Sequence, residues 1–377
     1  MHQVLPIATF PSPPYPTELQ KALGSWYDQT KRDLPWRNTS DPYAIWISEV
    51  MLQQTRVQTV IPYYLRFMKQ FPDAKHLAAA YLQTVYKLWE GLGYYSRARH
   101  LHQAASIIAT EFDNRLPDDP ALLLNLPGIG SYIAAAILSI AFDRPHAVVD
   151  GNVKRVIARL LLIEDPVNKS SSHARFQSAA DQLLDRHNPA RHNQAMMELG
   201  ALVCTPRNPQ CNNCPVALFC EAFKKQLSNK FPYRIKRPPI PEQHWAAGVI
   251  VKNGHILLTQ RPPQGLLAGF WEFPCTPLTL DDDPSETCIR NIQSATGLQT
   301  VMQQHITTVR HTYTHFKLRM DVYLCQWEKG HVHAANTNGF QWVPFDQTDR
   351  LPLHKAVHKA LPAILMVLAK NDTPIAE

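Results

Sequence analysis

Apolar residues recur every three to four positions through the first half of the chain and somewhat beyond, the spacing of helices that bury one face. The clearest such stretches are Leu77 to Trp89, Leu101 to Phe112, Tyr132 to Phe142 and Val153 to Leu162. Pro72, Gly91, Pro117, Pro127 and Gly151 fall between them, where helices stop and start. After about Gln243 the period shortens to two. Ala247 to Val251, Ile256 to Leu258 and Lys317 to Leu324 read as strands, and Leu361 to Leu368 as a closing helix. Lys224 to Gln243, where the two patterns meet, is crowded with lysine, arginine and proline, which favours an extended path and little burial. The prolines among the first sixteen residues mark a loosely held arm. The chain is therefore expected to be multidomain: an arm over 1–18, an all-α domain over 19–223, a basic linker over 224–243 and an α+β domain over 244–370.

A length of 377 residues accommodates two such domains, each with its own core. With 45% hydrophobic and 18% charged residues the composition is that of a globular protein, not a disordered one. No apolar run approaches the thickness of a bilayer, and no charged-then-apolar leader opens the sequence, so neither a membrane span nor secretion is expected. The net charge of +7 is compatible with a polyanionic ligand without singling one out.

Four of the seven cysteines, Cys204, Cys211, Cys214 and Cys220, crowd into one stretch with spacing C-x6-C-x2-C-x5-C. Cys275, Cys288 and Cys325 are scattered and read as small buried hydrophobes. Two disulfides would require an oxidising compartment. Structural zinc favours two Cys-x2-Cys knuckles, and only Cys211 and Cys214 make one. A [4Fe–4S] cluster tolerates uneven spacing because its irons lie at separate corners, and it fits this stretch better than zinc or a disulfide framework.

Upstream, Leu126-Pro-Gly-Ile-Gly130 precedes the apolar run from Ser131 to Phe142. Its two glycines permit positive φ and leave N–H groups at a helix start, a cradle for phosphate oxygens or, more plainly, a capped helical corner. It resembles the hairpin of helix–hairpin–helix DNA-binding proteins, with Leu126, Gly128 and Gly130 at the backbone contact. Glu49 sits among Trp46, Ile47, Val50, Met51 and Leu52, where its ionised form is disfavoured, unless that helix simply exposes it. Asp150 opens the segment from Gly151 to Leu160, and a helix N-terminus favours its charged form, whether it is a plain cap or a catalytic one. One carboxyl kept neutral and another kept anionic is the arrangement that cleaves glycosidic bonds.

These stretches together resemble the MutY family of adenine DNA glycosylases, within the endonuclease III-like superfamily. The likeness runs through Leu34-Pro-Trp-Arg37, Asp41-Pro-Tyr43, Ser48 to Thr55, Gly91 to Tyr95, Leu126 to Gly130, Val149 to Val156 and the four cysteines. It implies an all-α glycosylase domain with a helix–hairpin–helix and a [4Fe–4S] cluster on the four cysteines, followed by a Nudix-like domain. The implied activity is removal of adenine mispaired with 8-oxoguanine or guanine in duplex DNA, by a monomer in a bacterial cytosol. By position, Glu49 matches the acid that protonates adenine N7 and then assists water. Asp150 matches the carboxylate that stabilises the sugar cation, directly or through a covalent bond. Asn152 matches a positioning amide and Tyr132 a phenol near the departing base. Arg32, Leu34, Trp36 and Gln194 match residues around the extruded adenine. Gln54 and Tyr94 match wedges that hold the opened stack, with Thr55 beside the first, although Tyr94 has a core position beside Trp89 as its alternative. Bifunctional relatives carry lysine where this chain has Tyr132, which cannot form an imine, so strand cleavage through a Schiff base is not expected.

In the second half the likeness is to the Nudix-like domain of that family, and more in the order of elements than in sequence. Reading back from Gly297, positions that a catalytic Nudix motif fills with acids hold Asn291, Ser294 and Ala295, which argues against metal-dependent nucleotide hydrolysis. Tyr313-Thr314-His315 aligns with the family's lesion-reading Phe-Ser-His. Thr314 keeps a hydroxyl for the altered edge of 8-oxoguanine, while Tyr313 adds a polar tip whose contact the alignment does not fix. A bifunctional glycosylase, a non-catalytic damage sensor and a nucleotide pyrophosphohydrolase are the competing classes. Tyr132, the pairing of Glu49 with Asp150, and the missing glutamates argue against them in turn.

Overall fold

Aspartates open several of the helices. Asp41 accepts from the N–H groups of Tyr43 and Ala44, Asp119 from Ala121 and Leu122, and Asp283 from Ser285 and Glu286. In each case proline follows at the first helical position, where its missing N–H costs nothing. The structure, a computed structural model, describes residues 16–236, 238–333 and 338–371.

Helices α1 (Pro16–Thr30), α2 (Pro42–Leu52), α3 (Val57–Gln70) and α4 (Ala74–Ala79) lead into α5 (Leu82–Trp89), α6 (Ser96–Glu111) and α7 (Pro120–Asn125). Then come α8 (Ser131–Ala141), α9 (Gly151–Leu160), α10 (His173–Leu183), α11 (Pro189–Leu202) and the short α12 (Glu221–Lys224). Leu19 and Leu23 of α1, Val156 and Ile157 of α9, Phe176 of α10 and Leu199 of α11 meet in one core. Helix α2 packs against α3 and α8 and buries every residue from Tyr43 to Met51. A polar residue on such a helix has no exposed face to turn to. That fixes the setting of Glu49.

The remainder is a seven-stranded mixed sheet with strands β1 (Glu242–Lys252), β2 (His255–Gln260), β3 (Trp271–Glu272), β4 (Cys275–Leu278), β5 (Gln299–Thr312), β6 (Lys317–Lys329) and β7 (Gly339–Pro344). The order is β3-β2-β1-β6-β5, with β4 also paired to β1 and β7 to β2. Strands β1 and β6 run parallel and the other pairs antiparallel. The period of two sends Ala247 and Val249 to one face, against Val357, Ala360 and Ile364 of α14 (Lys355–Asn371). Ala246 and Ile250 go to the other, against Cys288 and Ile292 of α13 (Pro284–Thr296). An all-helical part followed by an α+β sheet is the expected fold class.

Several boundaries differ from those expected. The stretch Leu77 to Trp89 is two helices, α4 and α5, broken at Ala80 and Tyr81. Of the arm over 1–18, residues 1–15 lie outside the described part, and Pro16 to Glu18 already belong to α1. The segment taken as a linker is held for much of its length. Phe231 is buried, its carbonyl accepts from Arg159 Nε, and the Tyr233 carbonyl accepts from the Val167 N–H. Asn168 bonds the backbone of Ile235 in both directions. A basic, proline-rich composition does not reveal that two aromatic residues anchor it.

The chain forms two compact units, one of residues up to 79 and 100–237, the other of residues 80–99 and 238 onward. The division expected near Phe223 keeps 80–99 with the helical half, whereas their contacts group them with the second unit. In the second unit the Tyr86 and Tyr95 rings lie 5.0 and 4.1 Å from Phe270. Glu90 Oε1 accepts from the Leu353 N–H at 2.8 Å and lies 2.8 Å from His358 Nε2.

Candidate active site

A cavity of about 180 Å³ opens in the helical unit. Arg32, Leu34, Trp36, Glu49, Thr55, Tyr132, Asp150, Asn152 and Gln194 all line it, so residues drawn from distant parts of the sequence face one space. Glu49 arrives on the buried helix α2, and its Oε2 accepts a hydrogen bond from the Tyr132 hydroxyl of α8. Asp150 caps α9: one oxygen accepts from the Val153 N–H at 2.6 Å, the other from Asn152 Nδ2 at 3.0 Å. Asn152 is fixed in turn by Arg155, whose guanidinium also reaches the carbonyls of Gly200 and Cys204 at 2.8 and 2.7 Å. Only glycine fits at 200, since a Cβ there would lie 2.7 Å from Asn152 Cβ.

Burial lifts the Glu49 carboxyl to about 7, with the nearby Asp150 adding to the rise and Tyr132 and Arg37 opposing it. The expectation for Asp150 needs correction. Burial raises its proton affinity as well, against the hydrogen bonds from Val153 and Asn152 and the charge of Arg155. The helix terminus and its donors thus limit the rise without reversing it, because the aspartate sits inside the cavity wall and not at an open helix end.

Sequence reasoning missed Glu198. It is 1% exposed and bridges two arginines: Arg32 through Nε at 2.8 Å and Nη2 at 2.6 Å, Arg37 through Nη1 at 3.0 Å and Nη2 at 2.7 Å. Burial works against its charge, yet hydrogen bonds from Arg32 and Arg37 hold the carboxyl down to about 2. The pair of arginines is thereby locked at the cavity rim. An acid inside the apolar run Met196-Met197-Glu198-Leu199 was the only signal. Trp36 is held edge-on to Tyr64 at 5.3 Å, and Gln194 Oε1 accepts from the Tyr27 hydroxyl at 3.0 Å.

Cys204, Cys211, Cys214 and Cys220 line a second, small cavity of about 20 Å³ beside Arg159. That arginine is 2% exposed and donates to the carbonyls of Thr205 and Phe231, with Nη1 3.2 Å from Cys204 Sγ. Burial, and to a lesser extent the neighbouring sulfurs, push the Cys214 thiol up to about 12, and burial raises the Cys220 thiol as well. Among the described residues no three His, Cys, Asp or Glu side chains are grouped to hold a metal ion. Four thiols line this one cavity, the number of thiolates that a [4Fe–4S] cluster takes.

The hairpin differs from expectation in detail. Gly128 has φ +78°, and a Cβ there would lie 2.7 Å from His100 Cβ, so glycine is required. Gly130 is extended at φ −94° and ψ 179°, a conformation open to any residue. Leu126 is buried, which leaves only its backbone for a phosphate. Gln54 follows α2 as an exposed residue with φ +57°, whereas Thr55 turns to the cavity wall.

In the second unit a cavity of about 580 Å³ has Tyr94, Tyr313, Thr314 and His315 among its lining. Tyr94, at φ +50°, is part-exposed and not a core residue; Arg97 lies 5.4 Å from both its ring and that of the buried Trp89. The Thr314 hydroxyl donates to the Tyr94 hydroxyl at 2.9 Å. Tyr313 closes the turn, its N–H donating to the Phe316 carbonyl and its ring stacking on Phe316 at 4.9 Å. Its hydroxyl points inward, 3.4 Å from His354 Nδ1. The polar tip added at this position is directed into the fold. Asn291, Ser294 and Ala295 all lie on α13.

A helix–hairpin–helix core with a buried carboxylic acid opposite a helix-capping aspartate belongs to the DNA N-glycosylases of base excision repair. Residues 47–180 match the HhH-GPD superfamily base excision DNA repair protein model, and residues 246–363 match the NUDIX domain model. This chain is a member of the adenine DNA glycosylase family. It is 38% identical to the adenine DNA glycosylase of Mus musculus over 91% of this chain and 77% of that protein. The Homo sapiens enzyme is also 38% identical, over 91% and 73%. A thermostable thymine-DNA glycosylase structure is similar to the helical part, with TM-score 0.51 and 27% identity over 56% of this chain and 97% of that one. The expected bacterial source is not supported, since mammalian proteins are among the similar relatives. No helix among the described residues is long and apolar enough to cross a membrane.

Proposed function

We propose that the protein removes adenine paired with 8-oxoguanine or guanine in duplex DNA, acting as a monomer and without strand cleavage. The observation that carries this reading is the convergence of Glu49 and Asp150 on one cavity. An extruded adenine enters between Trp36 and the arginines held by Glu198, and extrusion is paid for by wedges at Gln54 and Tyr94. Glu49 gives its proton to N7 of the base. The C1′–N9 bond then breaks, its electron pair leaves with the protonated base, and positive charge develops on the sugar. Asp150, oriented by Asn152 and Val153, stabilises that charge. Water adds to C1′, Glu49 takes back a proton, and free adenine and an abasic site remain.

Tyr132 matches the position at which bifunctional relatives carry lysine, and a phenol forms no imine. Cys204, Cys211, Cys214 and Cys220 would hold a [4Fe–4S] cluster, which when bound cross-links the loop they span and balances the thiolate charge. Thr314 and His315 are the exposed groups of the turn that would read the lesion. The test is incubation with duplex carrying adenine opposite 8-oxoguanine, then hot alkali. Alkali-dependent nicking of the adenine strand is expected, and absence of base loss rejects the reading. Borohydride should trap no stoichiometric adduct. Purified protein should be brown and carry about four irons per chain, and a colourless zinc protein would contradict the cluster. Size-exclusion chromatography should place it as a monomer.

A further inference from the structure

The second unit contains a buried charged group for which base excision has no use. Glu272, on β3, is 8% exposed, and the residues it binds lead to the cavity that has Thr314 and His315 among its lining. Both its oxygens accept from Arg261 Nη1, at 2.7 and 2.9 Å, and Oε2 lies 2.9 Å from His354 Nε2. Each partner continues to a different wall of the cavity. Arg261 Nε donates to the Leu266 carbonyl at 2.8 Å, which fixes the loop of Gly265 to Ala268. His354, 3% exposed, turns Nδ1 to the Tyr313 hydroxyl, and Tyr313 closes the turn that presents Thr314 and His315. One carboxylate therefore ties together both segments that shape this space.

We infer that Glu272 is a positioning residue for lesion reading: through Arg261 and His354 it sets the spacing between the Gly265–Ala268 loop and the Tyr313–His315 turn. The inference rests on the reading of that turn as the reader of 8-oxoguanine. Its energetic logic is that of buried ion networks. Such a group adds little to stability over an apolar equivalent, but it fixes one geometry, and removing a single member leaves an unpaired charge. Glu272 touches neither adenine nor the reacting sugar, so its effect belongs to discrimination between duplexes.

Adenine release is measured under single turnover on two duplexes, adenine opposite 8-oxoguanine and adenine opposite guanine, for the full chain and for Glu272→Gln and Tyr313→Phe. The expected result is a ratio of the two rates that falls about tenfold in Glu272→Gln and several-fold in Tyr313→Phe. Glu272→Asp, which keeps the charge, should recover part of the ratio. A loss shared equally by both duplexes marks a merely structural role and overturns the inference. Should Glu272→Gln not fold, Tyr313→Phe decides alone, because it deletes one hydroxyl, and an unchanged ratio overturns the inference. A wild-type chain that removes adenine without preferring 8-oxoguanine removes the underlying reading instead, a result the wild-type rates show before any variant is compared.

Discussion

The proton on Glu49 is held by its surroundings, and those surroundings make two predictions with opposite signs for activity and stability. Its folded-state proton affinity is raised to about 7, chiefly by burial, so the acid form is the stable one in the fold. The associated stability is complete below the unfolded carboxyl range and is lost as pH rises through about 7. Glu49→Gln should therefore raise the melting temperature at pH 8 and change it little at pH 4.5, while lowering adenine release at least about a hundredfold. Duplex affinity should persist; its loss would mean that the residue is structural. The rate of the native protein should decline as pH rises through about 7. Because the Tyr132 hydroxyl lowers the proton affinity of Glu49, Tyr132→Phe should carry that decline to higher pH. A single-turnover pH profile reads both. The two carboxyls were legible in sequence from an acid inside an apolar helix and an aspartate before one. The sign at Asp150 was not, because a local cap says nothing of how deeply the cap lies.

Among the elements, the hairpin between α7 and α8 separates two glycines that look equivalent in sequence. Gly128→Ala places a side chain at positive φ and against His100, at a cost of about 2 kcal/mol. Gly130→Ala meets nothing within 4 Å and needs no unusual backbone. Thermal melts should show a drop of several degrees for the first and almost none for the second. Equal losses would mean that the hairpin differs from the one described. Helical periods located α8 and α9 to within two residues, although α9 buries Arg155 and Arg159 as well as its apolar residues, while α6 begins at Ser96, ahead of the expected Leu101. The break at Ala80 and Tyr81 escaped notice because those residues carry no proline or glycine signal. The anchoring of Phe231 and Tyr233 escaped for a related reason: it depends on Arg159 and Val167, far away in sequence.

For the whole molecule the informative feature is the double passage of the chain between its two compact units. Cutting after residue 237 would deprive residues 80–99 of Phe270, Leu353 and His358, their partners in the second unit. Residues 1–237 alone should therefore melt several degrees below the first transition of the full chain, and should release adenine with little regard for the opposing base. A truncated form as stable as the parent would show that 80–99 folds without the rest. Composition and period gave no hint of this sharing, because a short helix in an otherwise helical half is unremarkable. Protein synthesis meets the same geometry as a delay. Residues 80–99 leave the ribosome before Phe270, Leu353 or His358 has been translated, so during elongation the surface they cover must wait, wet and unmatched, until those residues have been added.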